Sequence, residues 1–311
     1  MRRLDDPIFK VLAYEALGFT SFARGNFPAA HAALERSISM CEDDKAAAYL
    51  DLSAQDPRVH VRLYDGMALW LLGYPDQALR ICAEARRYAD DSRHPFSEAM
   101  ARTISLRVHQ LRGEAAVVAR EVTAAIELCK EHGFVHYLAM AMILGGWASA
   151  QQGEFDKGIA EIREGLEKER ATDALLLESY TLGLLADACI KSQRYGQALD
   201  FLNQAQSRLD EESSERFYAA EIYRLLGEVY ARLHRDLDQA ERYMRKGLEV
   251  AREQKAKSLE LKGCMSMYDL YELRHDAGKY RSQLGEIYGF FSEGFDTMDL
   301  VRARARLSLI E

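Results

Sequence analysis

Small and apolar residues return along this chain in a fixed order after each turn. Gly73, Gly113 and Gly153 lie 40 residues apart, and the same spacing reaches Gln193. Behind three of these positions stand GYPDQAL, GEFDKGI and QRYGQAL, each a turn followed by small and apolar residues. A repeat of this kind decides the fold before other features do. Aligned on the small residues, the quartets are Gly18, Gly25, Ala30 and Ser37; Gly66, Gly73, Ala78 and Ala85; Gly146, Gly153, Gly158 and Gly165; Ala186, Gln193, Ala198 and Ala205. The steps within a quartet are 7, 5 and 7 residues. Small side chains at the first and third places let two antiparallel helices approach, and at the fourth they let the next pair dock. The glycine between them can end the first helix in a left-handed conformation.

The pattern predicts an all-α solenoid of about seven helix pairs with a C-terminal capping helix. The expected pairs are 8–24/27–42, 58–72/75–90, 96–112/114–131, 134–152/155–169, 173–192/195–210, 215–233/237–253 and 257–276/279–291, with a terminal helix at 298–309. Three repeats are degenerate. The third has Val118 at the docking place, the sixth delays Ala240 by one residue in HRDLDQ, and the seventh carries Gln283. Degeneracy at the end of an array suits a capping repeat. Residues 43–57 break the period and read as a longer connection with room for a short helix. Thr172/Asp173 and Ser213/Ser214 suit helix N-termini. No Gly-, Pro- or Ser-rich linker divides the chain, so a single continuous domain over 1–311 is expected. The spacing of small residues resembles the tetratricopeptide repeat (TPR), whose usual period is about 34 residues. The longer period here implies longer helices.

Composition narrows the function. The net charge of −8 repels phosphate backbones, which argues against direct nucleic-acid partners. All five prolines occur before residue 96, so the rest of the chain lacks this helix breaker. Five scattered cysteines with no CxxC pair fit reduced thiols and a cytoplasmic location. The start has no apolar signal region. The longest apolar run, Tyr137 to Ala148, has 12 residues, a buried helix rather than a membrane span.

The segment Ile287–Leu307, IYGFFSEGFDTMDLVRARARL, is similar to the ending of bacterial multidomain signalling proteins. These carry a class III adenylyl cyclase or kinase domain, a STAND-type ATPase and a long TPR tail. ALWLLGYPDQAL (Ala68–Leu79), HPFSEAMA (His94–Ala101) and LRGE (Leu111–Glu114) extend the resemblance. It implies a sensor or regulatory tail. The chain departs from the family in having no GxxxxGK[ST] loop and no cyclase module, so no catalytic residue carries over.

Candidate chemistry is sparse. GxSxG, HExxH, CxxC and phosphate-loop motifs are absent, so neither enzyme activity nor a cofactor is expected. His132 and His136 have the spacing of paired metal ligands, but Gly133 between them and the lack of a third ligand favour a solvated turn. Glu293, Asp296 and Asp299 form an acidic cluster in which helix capping by Asp296 or Thr297 is expected. Arg302, Arg304 and Arg306 read as a solvated helix end.

The concave groove is the better candidate. Inward positions of the first helices give Arg107 and Gln110 in the third pair, Trp147 in the fourth, and Tyr180, Asp187 and Lys191 in the fifth. The sixth gives Glu221, Arg224, Glu228 and Arg232, and the seventh Tyr268, Glu272 and His275. Aromatic anchors among charge pairs suit a peptide or protein partner. Two functions follow: a non-catalytic regulatory tail of a cyclase- or ATPase-type protein, or a stand-alone regulator that binds a short signalling peptide.

Overall fold

A computed structural model describes residues 7–41, 46–53, 55–172, 178–209, 215–276 and 278–308. The described residues form helices α1 (Pro7–Ala23), α2 (Phe27–Met40), α3 (Ala46–Leu52), α4 (Pro57–Leu72), α5 (Pro75–Ser92), α6 (Pro95–Leu111), α7 (Ala115–His132) and α8 (Val135–Gln151). There follow α9 (Phe155–Arg170), α10 (Glu178–Lys191), α11 (Tyr195–Leu209), α12 (Ala219–Val229), α13 (Leu237–Glu253), α14 (Lys257–Leu273), α15 (Gly278–Tyr288) and α16 (Met298–Ser308). Seven antiparallel pairs result: α1/α2, α4/α5, α6/α7, α8/α9, α10/α11, α12/α13 and α14/α15.

Local sequence explains the pairing. Gly73 takes φ +98°, and its N–H closes the last turn of α4. Only glycine enters that region without cost, which is why the 40-residue spacing is so visible. Gln193, Arg235 and His275 reach the same region at φ +61°, +52° and +60°. The inner helices are buried over most of their surface, polar side chains included, and α4 is buried from Pro57 to Leu71. The outer helices show one stripe, as α13 does with Ala240, Met244, Gly247, Leu248 and Ala251. α8 and α9 pack with their backbones close together: a Cβ on Gly146 would lie 2.6 Å from the carbonyl oxygen of Gly158.

An ion pair repeats with the fold. Asp76 meets Arg112, Asp156 meets Arg194 and Asp238 meets Arg274. In each, an aspartate in the first turn of an outer helix reaches an arginine in the turn that follows the inner helix of the next pair. This second repeat is not among the sequence-based expectations.

Four expectations change. The inner helix of the sixth pair starts at Ala219 rather than 215. Arg216 donates its N–H to the carbonyl of Ala23 at 2.7 Å, and Phe217 stacks on Phe22 at 5.2 Å, so tertiary contacts replace the first helical turn. The extra residue before Ala240 is absorbed by a π-helical turn at Tyr230–His234. α15 ends at Tyr288, not 291, because Phe291 turns inward to 6% exposure. The terminal arginines are not a uniformly solvated end, since Arg306 pairs with Asp269 at 2.6 Å. Within 43–57 a short helix, α3, is present. Asp173 and both Ser213 and Ser214 lie outside the described residues.

The array does not run on as an open coil. The turn after α1 touches the start of α12, and the turn after α4 touches the start of α14, where Ser258 Oγ donates to Trp70 O at 2.5 Å across 188 positions. The turn after α6 touches α16, with Met298 against Gly113. Each pair thus meets the element about five pairs further on, and the superhelix closes after one turn.

Candidate functional site

Closure leaves a central cavity of about 290 Å³. Its wall is built by the inner helices α6, α8, α10, α12 and α14, with α16 completing the circle. Leu111, Trp147, Leu184, Ile190 and Met265 supply its apolar surface.

The polar part is largely paired within itself. Lys191 Nζ donates to Asp187 Oδ2 and to Gln151 Oε1, each at 2.7 Å. Arg224 donates through Nε to Glu221 at 2.8 Å, and through Nη1 to Glu228 and to Ser266 Oγ, both at 3.1 Å. Lys262 Nζ adds a bond to Glu221 at 2.9 Å. Burial alone would raise the pKa of Glu221, but Arg224 and Lys262 outweigh it and hold the carboxyl well below the usual range. Asp187 is lowered in the same way: Lys191, with Arg224 and Lys262, outweighs the effect of burial. Both stay ionised at neutral pH. Among the described residues, Arg232, Arg302 and Asp299 line the cavity without an ion-pair partner.

Of the residues expected in the groove, Gln110, Trp147, Asp187, Lys191, Arg224 and Glu228 line this cavity, as do Glu221 and Arg232. Five of the residues expected to face inward do not. Arg107 and Tyr180 are buried at 2% and 1% exposure. The Arg107 guanidinium lies 5.1 Å from the Tyr180 ring centroid, and the Tyr180 hydroxyl donates to Gln110 Oε1 at 2.8 Å. They form a polar core beside the cavity rather than its surface. Tyr268 is buried with Met267 and Leu270, because the inner helix of the last pair turns that face to the core. Glu272 is exposed outside the cavity, one residue before the end of α14, and His275 lies in the turn beyond.

The polar core has its own electrostatics. Nε of Arg107, Oε1 of Glu169 and Oε2 of Glu215 are buried without a hydrogen-bond partner among the described residues. Ser179 Oγ donates to Glu215 at 2.5 Å and Thr181 Oγ1 to Glu169 at 3.4 Å. Burial, only partly offset by Arg107, pushes Glu169 up to about 7 and Glu215 up to about 8.

The contribution of α16 goes beyond what the repeat pattern predicts. Met298, Asp299, Arg302 and Arg306 all face the cavity. Thr297 stands just before α16, but its hydroxyl donates to Gly294 O at 2.7 Å instead of capping the helix, and Asp296 approaches Arg112 at 3.5 Å. The arginines at two-residue spacing are a readable signal of a helix with two faces, but the partner Asp269 stands 37 positions away. His132 and His136 do not converge: His132 stacks on Phe134, and His136 Nδ1 is buried without a hydrogen-bond partner among the described residues. Among the described residues no group of three or more His, Cys, Asp and Glu side chains is arranged so that it could hold a metal ion. No described helix is long and apolar enough to cross a membrane.

The sequence matches no family model and no curated protein. The fold does have solved counterparts. The apo form of RapI is similar at TM-score 0.56 and 14% identity, over 96% of this chain and 98% of that one. A Rap protein complexed with competence and sporulation factor is similar at TM-score 0.58 and 11% identity, over 96% of this chain and 97% of that one. At these identities the likeness establishes an all-helical, TPR-like solenoid.

Proposed function

We propose that this protein is a non-catalytic regulator that binds a short peptide in the central cavity. One observation carries the reading: the closed superhelix surrounds a cavity whose wall alternates apolar anchors with fixed charges. A peptide matches such a wall, offering apolar and charged side chains and two charged termini. The volume of about 290 Å³ lies just below the usual range of ligand cavities, roughly 300–1,000 Å³. The paired charges are held rigid before a ligand arrives, which lowers the ordering cost of binding. Arg232, Arg302 and Asp299 stand ready for ligand charges.

The solved Rap protein that holds competence and sporulation factor supports the same reading, since the likeness runs over 97% of its chain. The peptide held by that counterpart favours a peptide regulator over the tail of a cyclase- or ATPase-type protein, a reading that rests on the Ile287–Leu307 resemblance. The partner is protein or peptide, and a cytoplasmic setting fits the unpaired thiols.

The test is a selection from a displayed random hexapeptide library. Wild-type protein should enrich related sequences, and Trp147→Ala combined with Arg224→Glu should weaken their binding at least ~10-fold, the loss of one aromatic anchor or fixed charge pair. Enrichment that survives both substitutions removes the cavity from the account.

A further inference from the structure

The end of the chain caps a helix near its beginning. α5 opens at Pro75, and its N-cap residue, Tyr74, offers no side-chain hydrogen bond. The free N–H groups of Asp76 and Gln77 instead donate to Glu293 Oε1 at 2.9 and 3.0 Å, across 217 and 216 positions. The Gln77 side-chain amide adds a bond to Glu293 Oε2 at 3.3 Å. A carboxylate there satisfies orphan donors and meets the positive end of the helix dipole. The contact is reciprocal, because the N–H of Gly294 donates to Asp76 Oδ2 at 3.0 Å. Arg112, 4% exposed, bridges Asp76 at 3.2 Å and Asp296 at 3.5 Å.

Packing seals the same seam. Phe290 lies against Gly73 and Tyr74, Gly294 against Pro75, and Met298 against Gly113. Gly294 is at φ +72°, so the closest approach to Pro75 uses a residue without a side chain. The gap left between Trp70, Leu111, Phe291 and Leu300 measures about 10 Å³, about the space of one water. Immediately after this seam comes α16, which carries Met298, Asp299, Arg302 and Arg306 to the cavity.

We propose that residues 290–297 form a clasp in which Glu293 and Asp76 are positioning residues. They hold the superhelix closed without any ligand and set α16 as the last wall of the cavity. The role of that wall in recognition rests on the cavity being the ligand site, whereas the closure itself does not.

The experiment is small-angle scattering on the ligand-free full chain, with hydrogen exchange at the amides of Asp76 and Gln77. A closed chain of this length should have a radius of gyration of about 20 Å. Glu293→Ala and Asp76→Ala should raise it while helical circular dichroism is retained, far short of the roughly 60 Å of an unfolded chain. Both should speed exchange at the two amides, and Glu293→Gln, which keeps a carbonyl acceptor, should recover part of the protection. Any peptide selected on wild type should bind the alanine variants more weakly although neither residue lines the cavity. A ligand-free wild type already extended overturns the proposal. So does an alanine pair with unchanged radius and unchanged exchange. A selection that yields no peptide would count against the cavity's function and leave these two readouts intact.

Discussion

A Cβ on Gly158 would stand 2.5 Å from the carbonyl oxygen of Gly146 and 2.7 Å from the backbone nitrogen of Ala150. Helix propensity alone favours alanine over glycine by about 1 kcal/mol. Here packing wins, because backbone atoms cannot yield as a side chain does, and overpacking costs ~1–3 kcal/mol. Gly158→Ala should therefore lower the urea midpoint. Gly196, in the first turn of α11, has nothing within 4 Å of where a methyl group would stand, and Gly196→Ala should raise stability by roughly 0.4–1 kcal/mol. A second prediction concerns protons. Glu169 and Glu215 titrate near 4.5 when unfolded and near 7 and 8 when folded. Between those values the native state holds more protons, so the stability these groups provide is full below pH 4.5 and is lost as the pH rises to 8. The double variant Glu169→Gln/Glu215→Gln should show a flatter dependence of urea midpoint on pH from 5 to 8. A slope equal to that of wild type would refute the assignment. The packing role of the small residues was readable from their spacing, whereas the two raised carboxyls were not, since burial raises them and the groups that partly offset it, Arg107, Ser179 and Thr181, come from other helix pairs.

At the level of the helix, α12 concentrates the charge chemistry. Glu221, Arg224 and Glu228 project from one face at helical spacing, and Lys262 joins from α14. Removing one member of a buried pair leaves an uncompensated charge, at a cost on the order of 3 kcal/mol. Arg224→Met should cost about that much in urea denaturation, and adding Glu221→Leu with Lys262→Met, which removes the other cation held by Glu221 as well, should restore most of the loss. Equal instability of the single and triple variants would mean the network is not a buried cluster. This face was legible, because the register of the repeat placed Glu221, Arg224 and Glu228 inward. The same register failed for Tyr268 and Glu272. α14 faces the cavity through Lys262, Met265, Asp269 and Leu273 instead, so the expected register was misplaced on this helix, and Tyr268 turns into the core while Glu272 stays outside. The delayed Ala240 showed as a one-residue slip, but a π turn and a longer loop give the same slip in sequence.

For the whole molecule, closure changes what a repeat array does. Open solenoids touch only their neighbours and fray from the ends. Here the first, second and third pairs are tied to the sixth, the seventh and α16. Native-state hydrogen exchange should therefore show α2 and α14 protected to a degree close to α8, and marked early loss at α14–α16 would contradict the closed form. Pair number and helix order were legible in the sequence. Closure was not, because Glu293 and Asp76 carry no shared pattern and meet across 217 positions. The central claim is that ligand enters this cavity, and one of the two tryptophans of the chain, Trp147, lines it. The most direct measurement is a fluorescence titration of the protein with a selected hexapeptide, with Trp147→Phe as reference. Binding in the cavity predicts a saturable change in emission at one peptide per chain that disappears in Trp147→Phe. Peptide binding seen by calorimetry with no change in Trp147 emission would contradict it.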